Sequence, residues 1–325
     1  MLSTLKQTAD FLRAHDDYAV ITHFKPDGDA YGCALGLTYI LRKMGKRAFP
    51  VCDDPVETKY RFLPMSGEFT NAKKGFPFTP QTAVGVDVSD ADRMGDSRTV
   101  FETCLNKAAI DHHVSNVGFA PVTLLDAEAA AAGELILALS EELGVPLDKT
   151  LAELLYTAIA TDSGNFSFRD TRGDTMRAAA KCLDAGIDVD ELTRRLFRAR
   201  SLARTKLLGM ALNRIEMRGN GRVAGVMITD EMFARAGAER PDAHSIVNYL
   251  NEIDGVSVGI LCEQRPEGTR ISFRSAGDTD VSVLAARFGG GGHTAASGAY
   301  ILGARMEDIF EDILTKACAY LDEKA

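Results

Sequence analysis

Between Tyr18 and Asp126 short apolar runs alternate with longer stretches of mixed polarity. YAVIT, RAFPV, TAVGVDV, AAI and PVTLL are brief and apolar or β-branched, whereas CALGLTYILRKM has the length and spacing of a helix. Strands separated by helix-length segments read as βαβ units, so this region predicts an α/β domain with a mostly parallel sheet flanked by helices. From Glu128 to Met217 the pattern reads almost wholly helical, with breaks at Gly144-Val145-Pro146, Asp170-Thr171 and Gly186. Strand-like runs return after the Gly219-Asn220-Gly221 turn signal as RVAGVMIT, VSVGILCE and TRISFRS. Helical stretches are expected among them at 243–252, 281–288 and 306–321. The predicted organisation is a first domain at 1–190, a helical linker at 191–207 and a smaller α+β domain at 208–325.

Composition narrows the function. The 325 residues are enough for roughly two domains of about 150 residues, each with its own core. With 37 Lys plus Arg against 46 Asp plus Glu, the net charge of -9 argues against a surface that tracks long duplex nucleic acid, which gains affinity by neutralising many phosphates. A small anionic substrate held by a few cations stays compatible. No apolar run reaches the roughly 18 residues of a spanning helix, and the first residues lack the basic and apolar regions of a signal peptide, so no membrane partner and a cytoplasmic location are expected. Six cysteines without a CxxC pair read as small buried hydrophobes rather than a disulfide framework or thiolate zinc site.

Candidate chemistry gathers where the strands end. HFKPDGDAYG puts His23, Asp27 and Asp29 on one tight loop, an imidazole and two carboxylates able to diverge toward two cations. The plainer alternative is an Asx turn capping the next helix. Asp87 ends the AVGVD strand, where open α/β sheets bind ligands. Asp111, His112 and His113 end another, and two adjacent imidazoles each need their own partners. Asp162 follows the apolar helical stretch LLYTAIAT; an acid near a helix carboxyl end is unfavourable unless a cation compensates. Four carboxylates and two imidazoles suit a pair of Mn²⁺ or Mg²⁺ ions better than a thiolate-rich zinc site, and point to metal-assisted phosphoester hydrolysis.

These residues, in this order, resemble the DHH phosphoesterase superfamily, named for the triplet at Asp111 to His113. The resemblance implies that His23, Asp27 and Asp87 hold one Mn²⁺ and that Asp29, Asp87, His112 and Asp162 hold a second, with Asp87 bridging. It also implies that His113 faces the substrate phosphate, that Asp111 orients the histidines, and that the active site lies in the cleft between the domains. In the second domain ISFRS and FGGGGHTAASG resemble the DHHA1 domain of bacterial oligoribonucleases of the NrnA type. Phosphate binding is expected at Arg274, Ser275, Gly290, Gly291, Gly292 and His293, a glycine run allowing close approach of backbone N–H groups to an anion. The alternative for that run is a flexible loop beside an edge strand. Asn116 joins the expected substrate-binding residues.

The implied substrates are very short single-stranded oligoribonucleotides, including dinucleotides such as pApA or pGpG, and 3′-phosphoadenosine 5′-phosphate (pAp). A homodimer is also implied. The competing readings are a cyclic dinucleotide phosphodiesterase and a nucleotide-binding sensor with weak turnover. The glycine motif argues against a family II pyrophosphatase, and the absence of added basic modules against a long-strand exonuclease. Cys33 stands where many members carry a small hydroxyl residue, and Ala129 to Ala132 is all alanine where polar residues are frequent.

Overall fold

The computed structural model describes residues 2–71 and 73–324. The chain divides into two compact units, Met1–Ala199 and Arg200–Ala325.

In the first unit five strands, β1 (Tyr18–Ile21), β2 (Ala48–Val51), β3 (Thr82–Val86), β4 (Asn106–Asp111) and β5 (Val122–Leu125), form an all-parallel sheet in the order β2-β1-β3-β4-β5. The central strands β1 and β3 are buried along their whole length because both faces are covered. Tyr18 and Val20 pack with Val84, Val86 and the helices α2 (Gly28–Lys43), α4 (Ala132–Leu143) and α5 (Lys149–Asp162). Ala19 and Ile21 point the other way, toward Met94 and the short α3 (Arg98–Thr103). The helices α6 (Gly173–Asp184) and α7 (Val189–Thr193) follow, and α7 runs into a π-helical turn at Arg194–Arg198.

The first helix is among the elements with no counterpart in the sequence reading. α1 (Leu5–Ala14) starts at a capping box in which Thr4 and Gln7 satisfy each other's backbone N–H groups, and it buries Ala9 and Leu12. The sequence signal was the TLKQ spacing ahead of an apolar stripe.

The second unit opens with α8 (Leu202–Leu212). It then builds a mixed sheet from β6 (Glu216–Arg218), β7 (Val223–Ile228), β8 (Val258–Arg265), β9 (Gly268–Ser275), β10 (Gly291–Gly292) and β11 (Ala296–Leu302), in the order β10-β11-β9-β8-β7-β6. Only β7 and β8 run parallel. α8, α9 (Asp230–Ala236) and α10 (Ile246–Asn251) cover one face, while α11 (Val281–Ala286) and α12 (Met306–Asp322) cover the other.

Two expectations are corrected here. Glu216 and Met217 lie in β6 rather than at the end of a helix, because they pair in register with Gly225 and Ala224. The glycine run is part of the sheet as well: Gly291 and Gly292 pair with Gly298 and Ser297 of β11, a strand the apolar pattern left unmarked. The cysteines are free, five of them buried. Among the described residues no helix is long and apolar enough to cross a membrane.

Candidate metal centre and phosphate pocket

The order β2-β1-β3 means that successive connections leave β1 and β3 toward opposite sides, which opens a crevice at their carboxyl ends. His23 follows β1, Asp87 follows β3 and Asp111 closes β4, so three separate sequence motifs arrive at one edge. The fourth comes from a helix. α2 carries Gly28, Gly32 and Gly36 on one face, and a Cβ at Gly32 would lie 2.5 Å from the Leu154 carbonyl oxygen; at Gly28 it would collide with Thr161. Glycine at these places lets α2 lie close against α5. That approach brings Asp162, the last residue of α5, to Asp29 and His112.

Two of the imidazoles are each aimed by a backbone contact. His112 Nδ1 donates to the Ala129 carbonyl at 3.0 Å, which leaves Nε2 toward Asp162 (3.1 Å), Asp87 (3.5 Å) and Asp29 (3.8 Å). His23 Nδ1 donates to the Phe24 carbonyl at 2.8 Å, leaving Nε2 3.7 Å from Asp87 Oδ2. A second-shell donor bond that fixes the tautomer in this way is what metal-ligating histidines carry. His113 differs. Its Nδ1 donates to Asp111 Oδ1 at 2.7 Å, and 44% of its side chain is exposed.

The carboxylates divide their oxygens between structure and site. Asp27 caps α2, its Oδ1 accepting from the Asp29 and Ala30 N–H groups, so the Asx-turn reading holds and the other oxygen is left over. Asp29 is completely buried. It accepts from the Ala132 and Gly133 N–H groups at the start of α4 and from the Cys33 thiol at 3.0 Å. The polyalanine segment thus contributes its backbone, and Cys33 supplies the donor a hydroxyl would supply.

Asp87 is the centre of the arrangement. It is 2% exposed, takes a left-handed backbone conformation (φ 52°), and its Oδ1 is hydrogen-bonded to nothing although two ring nitrogens stand 3.5 and 3.7 Å away. An orphaned buried carboxylate oxygen is costly.

Electrostatics agree. Burial and the Asp87 and Asp162 charges push Asp29 far above the usual carboxylate range, and burial with Asp87 raises Asp27. Burial would raise Asp87 too, but the facing His112 and His23 rings hold it below that range. Burial opposes a charged His112, yet Asp162, Asp87 and Asp29 push its pKa up to about 12. The shifts of Asp29 and His112 both express a surplus of negative charge that a cation at the site would relieve. Three sets of donor atoms, from His23, Asp27 and Asp87, from Asp29, His112 and Asp162, and from Asp87, His112 and His113, each lie within 4.8 Å of one another. Hard oxygen and imidazole donors around an orphaned carboxylate fit divalent ions.

Asn116, expected at the substrate, is 5% exposed, and its amide donates to Asp111 Oδ2 and the Val88 carbonyl and accepts from the Gly118 N–H. It holds Asp111 in place instead of facing a ligand.

In the second unit a cavity of about 660 Å³ is lined by Arg274 and Gly290 to Gly292. Ser275 and His293 do not line it. Side chains alternate along a strand, so with Arg274 turned to the cavity Ser275 faces away and bonds the Thr294 carbonyl. His293 closes a turn with Ala296 through its backbone. The same alternation adds Arg270 and Ser272, which were missed; counting back in twos from Arg274 would have found them. The glycines also serve the sheet, since a Cβ at Gly290 would strike Gly298 and one at Gly292 would lie 2.6 Å from Ser297 Cα. Gly291, like Gly289, has open space around it.

Residues 17–159 match the DHH family, N-terminal domain, and residues 220–323 match the DHHA1 domain. The chain is 33% identical over 312 residues to the bifunctional oligoribonuclease and PAP phosphatase NrnA of Thermus thermophilus, covering 95% of this chain and 92% of that protein. To the protein of the same name from Bacillus subtilis it is 30% identical over 292 residues, covering 88% and 90%. Among solved structures, an exopolyphosphatase-related protein from Bacteroides fragilis matches with a TM-score of 0.87 at 25% identity, covering 98% of this chain and 97% of that one. With both domains matched and the parallel sheet delivering the Asp-His-His triplet to the crevice, the chain belongs to the DHH family of phosphoesterases, with a DHHA1 domain as its second unit.

Proposed function

We propose that this protein is a Mn²⁺-dependent phosphodiesterase and phosphatase that degrades very short oligoribonucleotides to mononucleotides and removes the 3′-phosphate of pAp. The observation that carries the reading is Asp87, a buried carboxylate whose Oδ2 faces His23 and whose unpaired Oδ1 faces His112 and His113. His23, Asp27 and Asp87 would hold one ion and Asp29, Asp87, His112 and Asp162 another, with Mg²⁺ the alternative metal. The chemistry such ions supply when bound is neutralisation of phosphoryl charge and a lowered pKa of water.

The protein's own groups do the rest. Ala129 and Phe24 fix the two ligand imidazoles so that Nε2 points inward. Asp111 holds the ring of His113, and its hydrogen bond raises that imidazole's pKa against the opposing effect of burial. His113 therefore stays protonated to a higher pH and can give a proton to the leaving oxygen. Arg274 and the glycine strand supply donors for a substrate phosphate. The substrate class is drawn from the relatives named oligoribonuclease and PAP phosphatase.

The test is turnover in Mn²⁺ on a 5′-phosphorylated dinucleotide, a five-mer, a long RNA, pAp, cyclic di-AMP and pyrophosphate. Fast release of mononucleotides from the two short oligomers and of phosphate from pAp, with the long RNA slow, is expected. Hydrolysis of cyclic di-AMP alone would replace the reading with a cyclic dinucleotide phosphodiesterase. Silence on all six with ions bound would replace it with a sensor.

A further inference from the structure

The cavity of the second unit is longer and more cationic than one phosphate requires. β9 presents Arg270, Ser272 and Arg274 on one face, and opposite them in register β11 presents Tyr300, Gly298 and Ala296. Gly298 and Ala296 keep the floor low, so a trough runs along the sheet with a guanidinium at each end. Four residue steps along the strand separate the two arginine Cα atoms by about 13 Å, a span that two extended guanidinium side chains can close on one chain of phosphates.

Among the described residues no carboxylate lines this cavity, and Glu267 lines the neighbouring one that Arg270 also borders. Among the described residues Arg274 donates only to the Phe273 carbonyl, and Arg270 donates to His244 Nε2 at 3.4 Å. Arg270 is close enough that its charge, added to burial, disfavours the charge on Arg274. Two like charges face one polar trough in a chain of net charge -9, and a compact polyanion would relieve both. A volume of about 660 Å³ accommodates a whole nucleotide with its phosphates.

We propose that the trough holds two successive phosphates, one at Arg274 and Gly290–Gly292 and the next at Arg270. The unit then binds 5′-diphosphate and triphosphate ends more tightly than monophosphates, and free nucleoside di- and triphosphates compete with short substrates for it. The inference rests on the phosphate reading of Arg274 given above. It adds Arg270 as the residue that reads a second phosphate.

The experiment is titration of the full chain, in EDTA to remove metal-bridged binding, with AMP, GMP, ADP and ATP. Wild-type protein is expected to bind ADP at least about tenfold tighter than AMP, the size of one charged hydrogen-bonded contact. Arg270→Ala should erase that difference and leave AMP unchanged, while Arg274→Ala should weaken all four. Equal affinities for ADP and AMP in the wild type, or equal losses for both in Arg270→Ala, would overturn the second-phosphate site alone. A loss in Arg270→Ala confined to GMP would make Arg270 a base reader and overturn it as well. Unchanged binding in Arg274→Ala would remove the phosphate reading on which it stands.

Discussion

At Asp87 three imidazoles from two strand ends converge on one carboxylate, and each is aimed by a different acceptor: a carbonyl for His23, a carbonyl for His112 and the Asp111 carboxylate for His113. The last acceptor makes a clear prediction. Asp111→Asn removes the charge that orients His113 and raises its pKa without touching a ligand atom, so turnover should fall about 10–100-fold while bound metal stays constant. Metal analysis beside kinetics checks this, and a parallel loss of metal would assign Asp111 to the ion site. The six proposed ligands were legible in the sequence because residue type and order are written there. Where the Asn116 and Ser275 side chains point was not legible, because direction depends on strand alternation and on local hydrogen bonds that only the folded chain displays. Arg270 and Ser272 were overlooked for the same reason.

Among the elements, the glycine face of α2 decides whether Asp162 reaches the site. Gly32→Ala puts a Cβ against the rigid Leu154 carbonyl, and overpacking of this kind costs about 1–3 kcal/mol. Urea unfolding should show that loss, accompanied by weaker metal binding as α5 is displaced; unchanged stability would mean the helices can separate freely. The start of α5 offers a pH test. Asp148 accepts from Leu151 N–H, the Tyr39 hydroxyl and Lys43, which together outweigh burial and hold its carboxyl below the usual range. A depressed folded pKa gives stability that is present above the unfolded value near 3.9 and is lost as pH falls through the folded value. Asp148→Ala should therefore cost about 1 kcal/mol at neutral pH and progressively less below pH 4, read from urea midpoints against pH. A pH-independent difference would show that the cap acts without its charge. Parallel strands and long helices were legible from periodicity. α1 hid behind a short stripe with one capping box, and β11 hid because Ala296, Gly298 and Ala299 carry too little apolar surface to mark a strand.

For the molecule as a whole, two units with separate cores predict two responses to ligand. Divalent ions should raise the unfolding temperature of the first unit alone, by the equivalent of about 2.7 kcal/mol at a free concentration one hundred times Kd, and calorimetry should resolve it. A shift shared equally by both transitions would mean that the units unfold as one. The α/β class and the two-part organisation followed from the alternation of short and long apolar runs, whereas the distances among the candidate ligands appear only once three strand ends and the end of α5 are brought together. The account stands on Asp87 joining two ion positions. The most direct measurement is manganese bound per chain, by equilibrium dialysis and elemental analysis, in the wild type and in Asp87→Ala folded to the same circular dichroism spectrum. Two ions in the wild type and fewer than one in the variant, with hydrolysis abolished, is the predicted result. Two ions retained in Asp87→Ala would contradict it.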